Sequence, residues 1–360
     1  MSPPSSARRS PARLWPLAAL ILGPTLALTL SSCSPKPDPP GDAQPAKPAL
    51  DSGASAEAPV AVPGTPADYV TEVEAWRDQR LGSLTAENGW LSLVGLYWLE
   101  PGDNTFGSTP DNSLIFPEKA PNHAGTFHLV DGKVTVDPAP GAQIALADDL
   151  EAPVAGKVLT SDAEGEPSVL TLGSLRFYVI QRGDRVGIRV KDAGSPARTG
   201  FTGLDYFPID PAWKVEAHLE RTEGATVPVP NVLGQVEDAP SPGTLTFELP
   251  GGNGRTFSLH PILEEGSDEL FIVFGDPTNG RLTYGGGRFL YADAPGPDGK
   301  VVLDFNRAYN PPCSFTPYAT CPLPPPGNKL SIPVTAGEEK YAHGIPHHEP
   351  GTPAARNSAS

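Results

Sequence analysis

"RFYVIQRGDRVGIRVKD", residues 176–192, decides the fold. Two arms rich in β-branched and aromatic residues flank Arg182-Gly183-Asp184, so the stretch predicts a β-hairpin. In the second arm Val186, Ile188 and Val190 alternate with Gly187, Arg189 and Lys191. A period of two is a strand with one apolar face, here half-buried. The same grammar recurs downstream. TFSLHPIL (256–263) and ELFIVF (269–274) flank the turn EEGSD, and FLYADA (289–294) and KVVLDF (300–305) enclose PGPDG. The chain holds 45 prolines among 360 residues, about twice the usual ~5 % share. Helix interiors cannot absorb that proline, whereas loops and sheet edges can. The expectation is an all-β, mainly antiparallel chain: a β-sandwich followed by a second β-rich sandwich or barrel.

Upstream of the strands, one helix is expected. Thr65 reads as its N-cap, Pro66 as its first residue and Asp68 as a capping-box acid. Tyr69, Val73 and Trp76 then share a face, and Gly82 marks the end. WLSLVGLYWL (90–99) follows as a buried strand or strand pair broken at Gly95. A division falls near residue 200, after KDAGSPARTG. Residues 65–200 then form the helix and first sandwich, and residues 201–342 the second β-rich domain.

The ends read differently. Arg8, Arg9 and Arg13 precede LWPLAALILGPTLALTL and Leu30-Ser31-Ser32-Cys33. A basic start, a short apolar run and small residues before a cut predict a signal peptide over 1–32. The cysteine after Leu-Ser-Ser resembles the lipobox of bacterial lipoproteins, which implies lipid on Cys33 and a protein held to a membrane outside the cytoplasm. Ser34, rather than Asp, follows it, which resembles the outer-membrane pattern and implies the periplasmic face of that membrane. Residues 33–64 hold scarcely an aromatic or large apolar group and predict a flexible Pro/Ala-rich tether. The tail 343–360 predicts disorder, with His343, His347 and His348 as solvated side chains. A net charge of −16 opposes contact with phosphate backbones, so no nucleic-acid partner is expected.

Standard catalytic patterns are absent: no Gly-x-Ser-x-Gly elbow, no His-Glu-x-x-His and no phosphate-binding loop. Two features remain. Tyr284-Gly285-Gly286-Gly287-Arg288 joins two strand-like runs. It brings either a backbone and Arg288 close to an anion, or a glycine bulge into a hairpin. DFNRAYNPPCSFTPYATCPL (304–323) holds Cys313 and Cys321, with prolines around and between them. Zinc needs four ligands and the spacing is not Cys-x-x-Cys, so no metal and no cofactor is expected. With Cys33 lipidated, an even pair in an oxidising compartment reads as a disulfide, worth roughly 2.5 kcal/mol of unfolded-state entropy at this loop length.

Two family resemblances add to this reading. GDNTFGSTPDNSLIFP (102–117) with HAGTFHLVDGKVTV (123–136) resembles the opening of forkhead-associated sandwiches. The phosphothreonine-binding arginine of that family would fall at Ser108, which carries no charge. Residues 287–341, from GRFLYADA through NRAYNPPC to EEKY, strongly resemble the C-terminal signature of the DUF1684 family, bacterial proteins of uncharacterised function. ENGWLSLVGLYWLEPGDNTFGS and VGIRVKDAGSPARTGFTGLDYFPID resemble earlier blocks of the same family. The resemblance implies a hallmark set of Asp304, Asn306, Arg307, Tyr309, Asn310, Cys313, Tyr318 and Cys321.

Three functions compete. The leading expectation is a lipid-anchored protein that binds a small anionic ligand or an envelope partner at the disulfide loop, through Arg288, Asp304, Asn306, Arg307, Tyr309, Asn310 and Tyr318. The second is a hydrolase-like enzyme using Asp304, Arg307 and Tyr309. The third is a structural envelope protein without a ligand site.

Overall fold

The computed structural model describes residues 60–341. The expected signal peptide, lipidated Cys33, the tether up to residue 59 and the tail 343–360 lie outside the described residues.

The hairpin that opens the argument forms as expected. Arg185–Asp192 pairs residue for residue with Leu175–Arg182 and, on its other edge, with Leu93–Trp98. Leu170–Leu172 and Ala145–Leu146 complete a five-stranded antiparallel sheet. A second five-stranded sheet runs, in spatial order, Leu114–Ile115, Gly102–Gly107, Gly125–Val130, Lys133–Pro138 and Val158–Leu159. The two sheets share one core. Val186, Ile188 and Val190 enter it from the first sheet, and Phe106, Phe127, Val134 and Val136 from the second. Phe106 sits at its centre, with ring centroids 4.4 Å from Phe127 and 4.9 Å from Phe116. The alternating apolar face is therefore what joins the sandwich.

The second half builds open sheets and no closed barrel. Lys214–Arg221 lies between Gly243–Glu248 and Lys300–Asp304, with Thr256–Leu259 outside. A three-stranded sheet holds Ile262–Leu263, Leu270–Phe274 and Arg288–Ala292. Its middle strand is buried at every position. Leu270, Ile272 and Phe274 face a core shared with the four-stranded sheet, whereas Phe271 and Val273 face another core with Leu93 and Cys321. Burial on both faces explains why LFIVF is apolar without alternation.

Three local expectations change. The runs around PGPDG join different sheets, 288–292 pairing with 270–274 and 300–304 with 214–221. TFSLHPIL divides at His260-Pro261 between two sheets, since proline has no ladder donor. The helix α1 spans Ala67–Thr85. The Thr65 hydroxyl donates to Val62 O at 2.8 Å instead of capping it. It also runs past Gly82, because Leu84 is fully buried against Leu91 and Phe315. Tertiary packing of Tyr69 and Val73 on Ile209 holds its first turns.

Candidate functional site

The signature loop begins where the 300–304 strand ends. Asp304 accepts from the Asn306 N–H at 3.1 Å and so caps the short 3-10 turn Phe305–Arg307. The same carboxylate oxygen accepts from the Tyr69 hydroxyl of α1 at 2.8 Å. Asn306 donates through Nδ2 to Tyr69 Oη and to Asp210 O, and accepts from Asp210 N–H. Burial, followed by Asp304, pushes the Tyr69 hydroxyl pKa far up, so it stays a donor. Arg307 reaches Glu72 of α1 and, at 3.4 Å, Asp304. Asn310 is fully buried; its N–H donates to Glu338 Oε2 at 2.8 Å and its Nδ2 to Glu339 O at 2.7 Å. Four of the hallmark polar residues thus dock the helix and the C-terminal segment rather than facing open space.

Glu338 closes that junction. It is fully buried, accepts from Arg80 Nε of α1 at 2.8 Å, and Arg80 Nη2 continues to Asn310 O at 2.9 Å. Gly337 beside it has φ +78°, and a Cβ there would fall 2.3 Å from Ala308 O. Only glycine lets the chain press this carboxylate against the loop.

Arg288 is fully buried and far from any ligand role. It pairs with Asp276 at 3.0 Å, donates to Val334 O at 2.8 Å, and donates to Ala336 O. The glycines before it serve the same packing. Gly287 has φ +89°, and a Cβ there would meet Phe274 O and Pro324 Cγ at 2.6 Å. The anion-gripping expectation for this stretch therefore gives way to the tight-turn alternative.

A cavity of about 660 Å³ opens on the other side of the loop. Helix α1 gives it Trp76, Gln79, Arg80 and Ser83; Trp90 follows from the turn after the helix. The hairpin gives Arg182 and Arg189, and the three-stranded sheet gives Glu264, Phe271, Phe289 and Tyr291. The signature loop gives Tyr309, Thr320 and Cys321 among others. The aromatic wall is continuous: Phe271 stacks on Tyr291 at 5.0 Å, Tyr291 lies parallel to Tyr309 at 6.4 Å, and Phe289 meets Tyr309 edge-on at 5.7 Å. Burial raises the pKa of the Tyr291 and Tyr309 hydroxyls, and both remain protonated.

Of the seven ligand-binding residues expected from sequence, Tyr309 alone lines this cavity. Arg288, Arg307 and Tyr309 do not converge, and Asp304 and Arg307 do not share a site with Tyr309. Tyr318 packs against the core of Phe271 and Phe289. The expected disulfide partners are held side by side as thiols, with Cys313 N–H donating to Cys321 Sγ at 3.1 Å. Burial pushes the Cys321 thiol pKa well up. Sequence reasoning missed Arg80, Arg182, Arg189, Trp76 and Trp90. The available signal was the polar register of the hairpin, whose cations stand out in a chain of net charge −16.

No curated protein matches the chain. A solution NMR structure of an uncharacterized protein of Haloarcula marismortui is 34% identical to it, over 41% of this chain and 80% of that one, with a TM-score of 0.34. A family model described as "Protein of unknown function (DUF1684)" matches residues 199–339, which include the whole signature loop and the three-stranded sheet behind the cavity. Over that region the chain is similar to the DUF1684 family.

Proposed function

We propose that this protein is a lipid-anchored extracytoplasmic binding protein that takes a small molecule with a flat apolar part into the aromatic cavity beside the signature loop. The wall formed by Phe271, Phe289, Tyr291 and Tyr309 carries this reading. Its volume of about 660 Å³ falls within the range of small-molecule sites, about 300–1,000 Å³. Apolar rings exposed inside a concavity recover contact area only when something occupies it. The loop contributes by fixing Tyr309: its N–H and C=O exchange 2.9 Å hydrogen bonds with Phe289.

A neutral aromatic fluorophore, N-phenyl-1-naphthylamine, tests the cavity. Saturable binding at one molecule per chain is expected, weakened about tenfold in Trp90→Ala, which removes one stacking face. Trp90 is a third exposed, so the variant should keep its fold. Equal binding by wild type and variant, or none, would remove this reading.

A structural envelope role is the second reading. Asp304, Asn306, Arg307 and Asn310 favour it, because they dock α1 and the C-terminal segment. It gains if no aromatic probe binds. The hydrolase alternative loses its constellation, since Asp304 and Arg307 face the helix. The anchor has its own test: Cys33→Ala should move the protein from the membrane fraction to the soluble fraction, and continued retention would contradict lipidation.

A further inference from the structure

We propose that Arg189 and Thr320 form an oxyanion-recognition point inside this cavity, so that its ligand is a small apolar molecule carrying a carboxylate, phosphoryl or sulfonate group. The inference rests on reading the cavity as a ligand site and adds the ligand's charge.

Of the three arginines that line the cavity, two are matched by carboxylates. Arg80 pairs with Glu338 at 2.8 Å. Arg182 holds Asp162 through both terminal nitrogens, at 3.0 and 2.8 Å. Glu264 accepts from the Tyr291 hydroxyl at 2.7 Å. Arg189 is 3% exposed, and among the described residues no carboxylate lies within ion-pair distance of it. One terminal nitrogen donates to Thr320 Oγ1 at 3.1 Å. Its Nε is buried and has no acceptor.

Buried charges are normally paired, because an unpaired guanidinium loses its hydration without replacement. The neighbourhood intensifies the demand. Lys191, two residues along the same strand face, donates to Asn88 O, and its amine lies 5.9 Å from the Trp90 ring. Burial and then Arg189 lower the Lys191 pKa, so two cations repel each other here with no acid between them.

Thr320 completes the point. Its hydroxyl oxygen accepts from Arg182 Nε and from Arg189 Nη2, both at 3.1 Å. Both lone pairs are then used, and the hydroxyl hydrogen is left to donate. Among the described residues no hydrogen bond takes it. Two donors without acceptors, Arg189 Nε–H and Thr320 Oγ1–H, thus belong to neighbouring residues of one cavity wall. An oxyanion has the acceptor geometry and charge that both lack.

The experiment compares two fluorophores on the purified full chain: neutral N-phenyl-1-naphthylamine, and 1-anilinonaphthalene-8-sulfonate, which adds one anionic group to the same rings. The sulfonate should bind wild type about tenfold or more tightly than the neutral probe. Arg189→Gln should erase that preference, the sulfonate probe losing about tenfold more affinity than the neutral one, and Arg189→Lys should restore part of it. Because Arg189 is buried in mid-strand, a second measurement stands without the variants. Benzoate or phenyl phosphate should displace the sulfonate probe from wild type at lower concentration than benzyl alcohol, and the stronger of the two identifies the oxyanion. Equal affinity for both fluorophores, or equal displacement by all three competitors, overturns the oxyanion assignment and leaves the cavity reading standing. Failure of both fluorophores to bind overturns both.

Discussion

Arg288→Met should lower the unfolding free energy by about 3–5 kcal/mol, the cost of leaving a buried charge without its partner. The urea midpoint reads it, with the slope unchanged. The size follows from what remains after the guanidinium is gone. Asp276 is left at zero side-chain exposure without its ion-pair partner, and the carbonyls of Val334 and Ala336 lose their donor. The other oxygen of Asp276 accepts from the N–H groups of Thr278 and Val334, a role that an asparagine amide oxygen can keep without the charge. The double variant Arg288→Met with Asp276→Asn should therefore recover part of the loss, giving a coupling energy of about 1–3 kcal/mol in a double-mutant cycle. A single variant within about 1 kcal/mol of wild type would show that the pair does not hold the C-terminal segment, and would return Arg288 to the list of ligand candidates.

Glu338→Ala should be comparably destabilising, about 3–5 kcal/mol, and should also abolish binding of the neutral fluorophore. Glu338 is the hub between three segments. It accepts from Arg80 of α1 and from Asn310 of the signature loop, and its own N–H donates to Ala308 O at 2.8 Å. Removing the carboxylate leaves Arg80 as a buried cation above the Tyr309 ring, whose centroid lies 4.6 Å from the guanidinium carbon. The helix then loses its charged tie to the loop, and Trp76 and Arg80, which form one wall of the cavity, lose their positions. Glu338→Gln separates the two effects. The amide keeps an acceptor for Asn310 N–H but drops the charge, so part of the stability loss should persist while probe binding partly returns. Full probe affinity in Glu338→Ala would mean that the helix is not part of the binding wall.

Much of the fold was legible because strand periodicity is local. Val186, Ile188 and Val190 declare an inward face by alternation, and they do enter the core with Phe106 and Phe127. ELFIVF was legible as a strand, and the structure buries Leu270–Phe274 at every position. What failed were the pairings. FLYADA and KVVLDF look like hairpin arms because a turn joins them, yet each finds a better partner in a different sheet. A short turn specifies that the chain reverses, and the choice of sheet is made by which apolar faces meet. The end of α1 failed for a similar reason: Leu84 packs on Leu91 and Phe315, a contact that outweighs the weak helix propensity of Gly82.

The site shows the same division more sharply. The sequence by itself determined that residues 304–323 form an irregular, polar, proline-stiffened loop and that the protein around it is all β. It also determined that the DUF1684 signature lies in this loop. It could not say which way the polar side chains point, because an irregular loop has no period. Only the tertiary structure decided that Asp304, Asn306, Arg307 and Asn310 turn toward α1 and the C-terminal segment, while Tyr309 and Thr320 turn toward the cavity. The opening hairpin carries the last part of the answer. Alternation placed Arg189 on the face opposite the core, which for an isolated strand means water. The signature loop covers that face, so Arg189 is buried, and a residue the sequence assigns to solvent becomes a buried cation in the cavity wall.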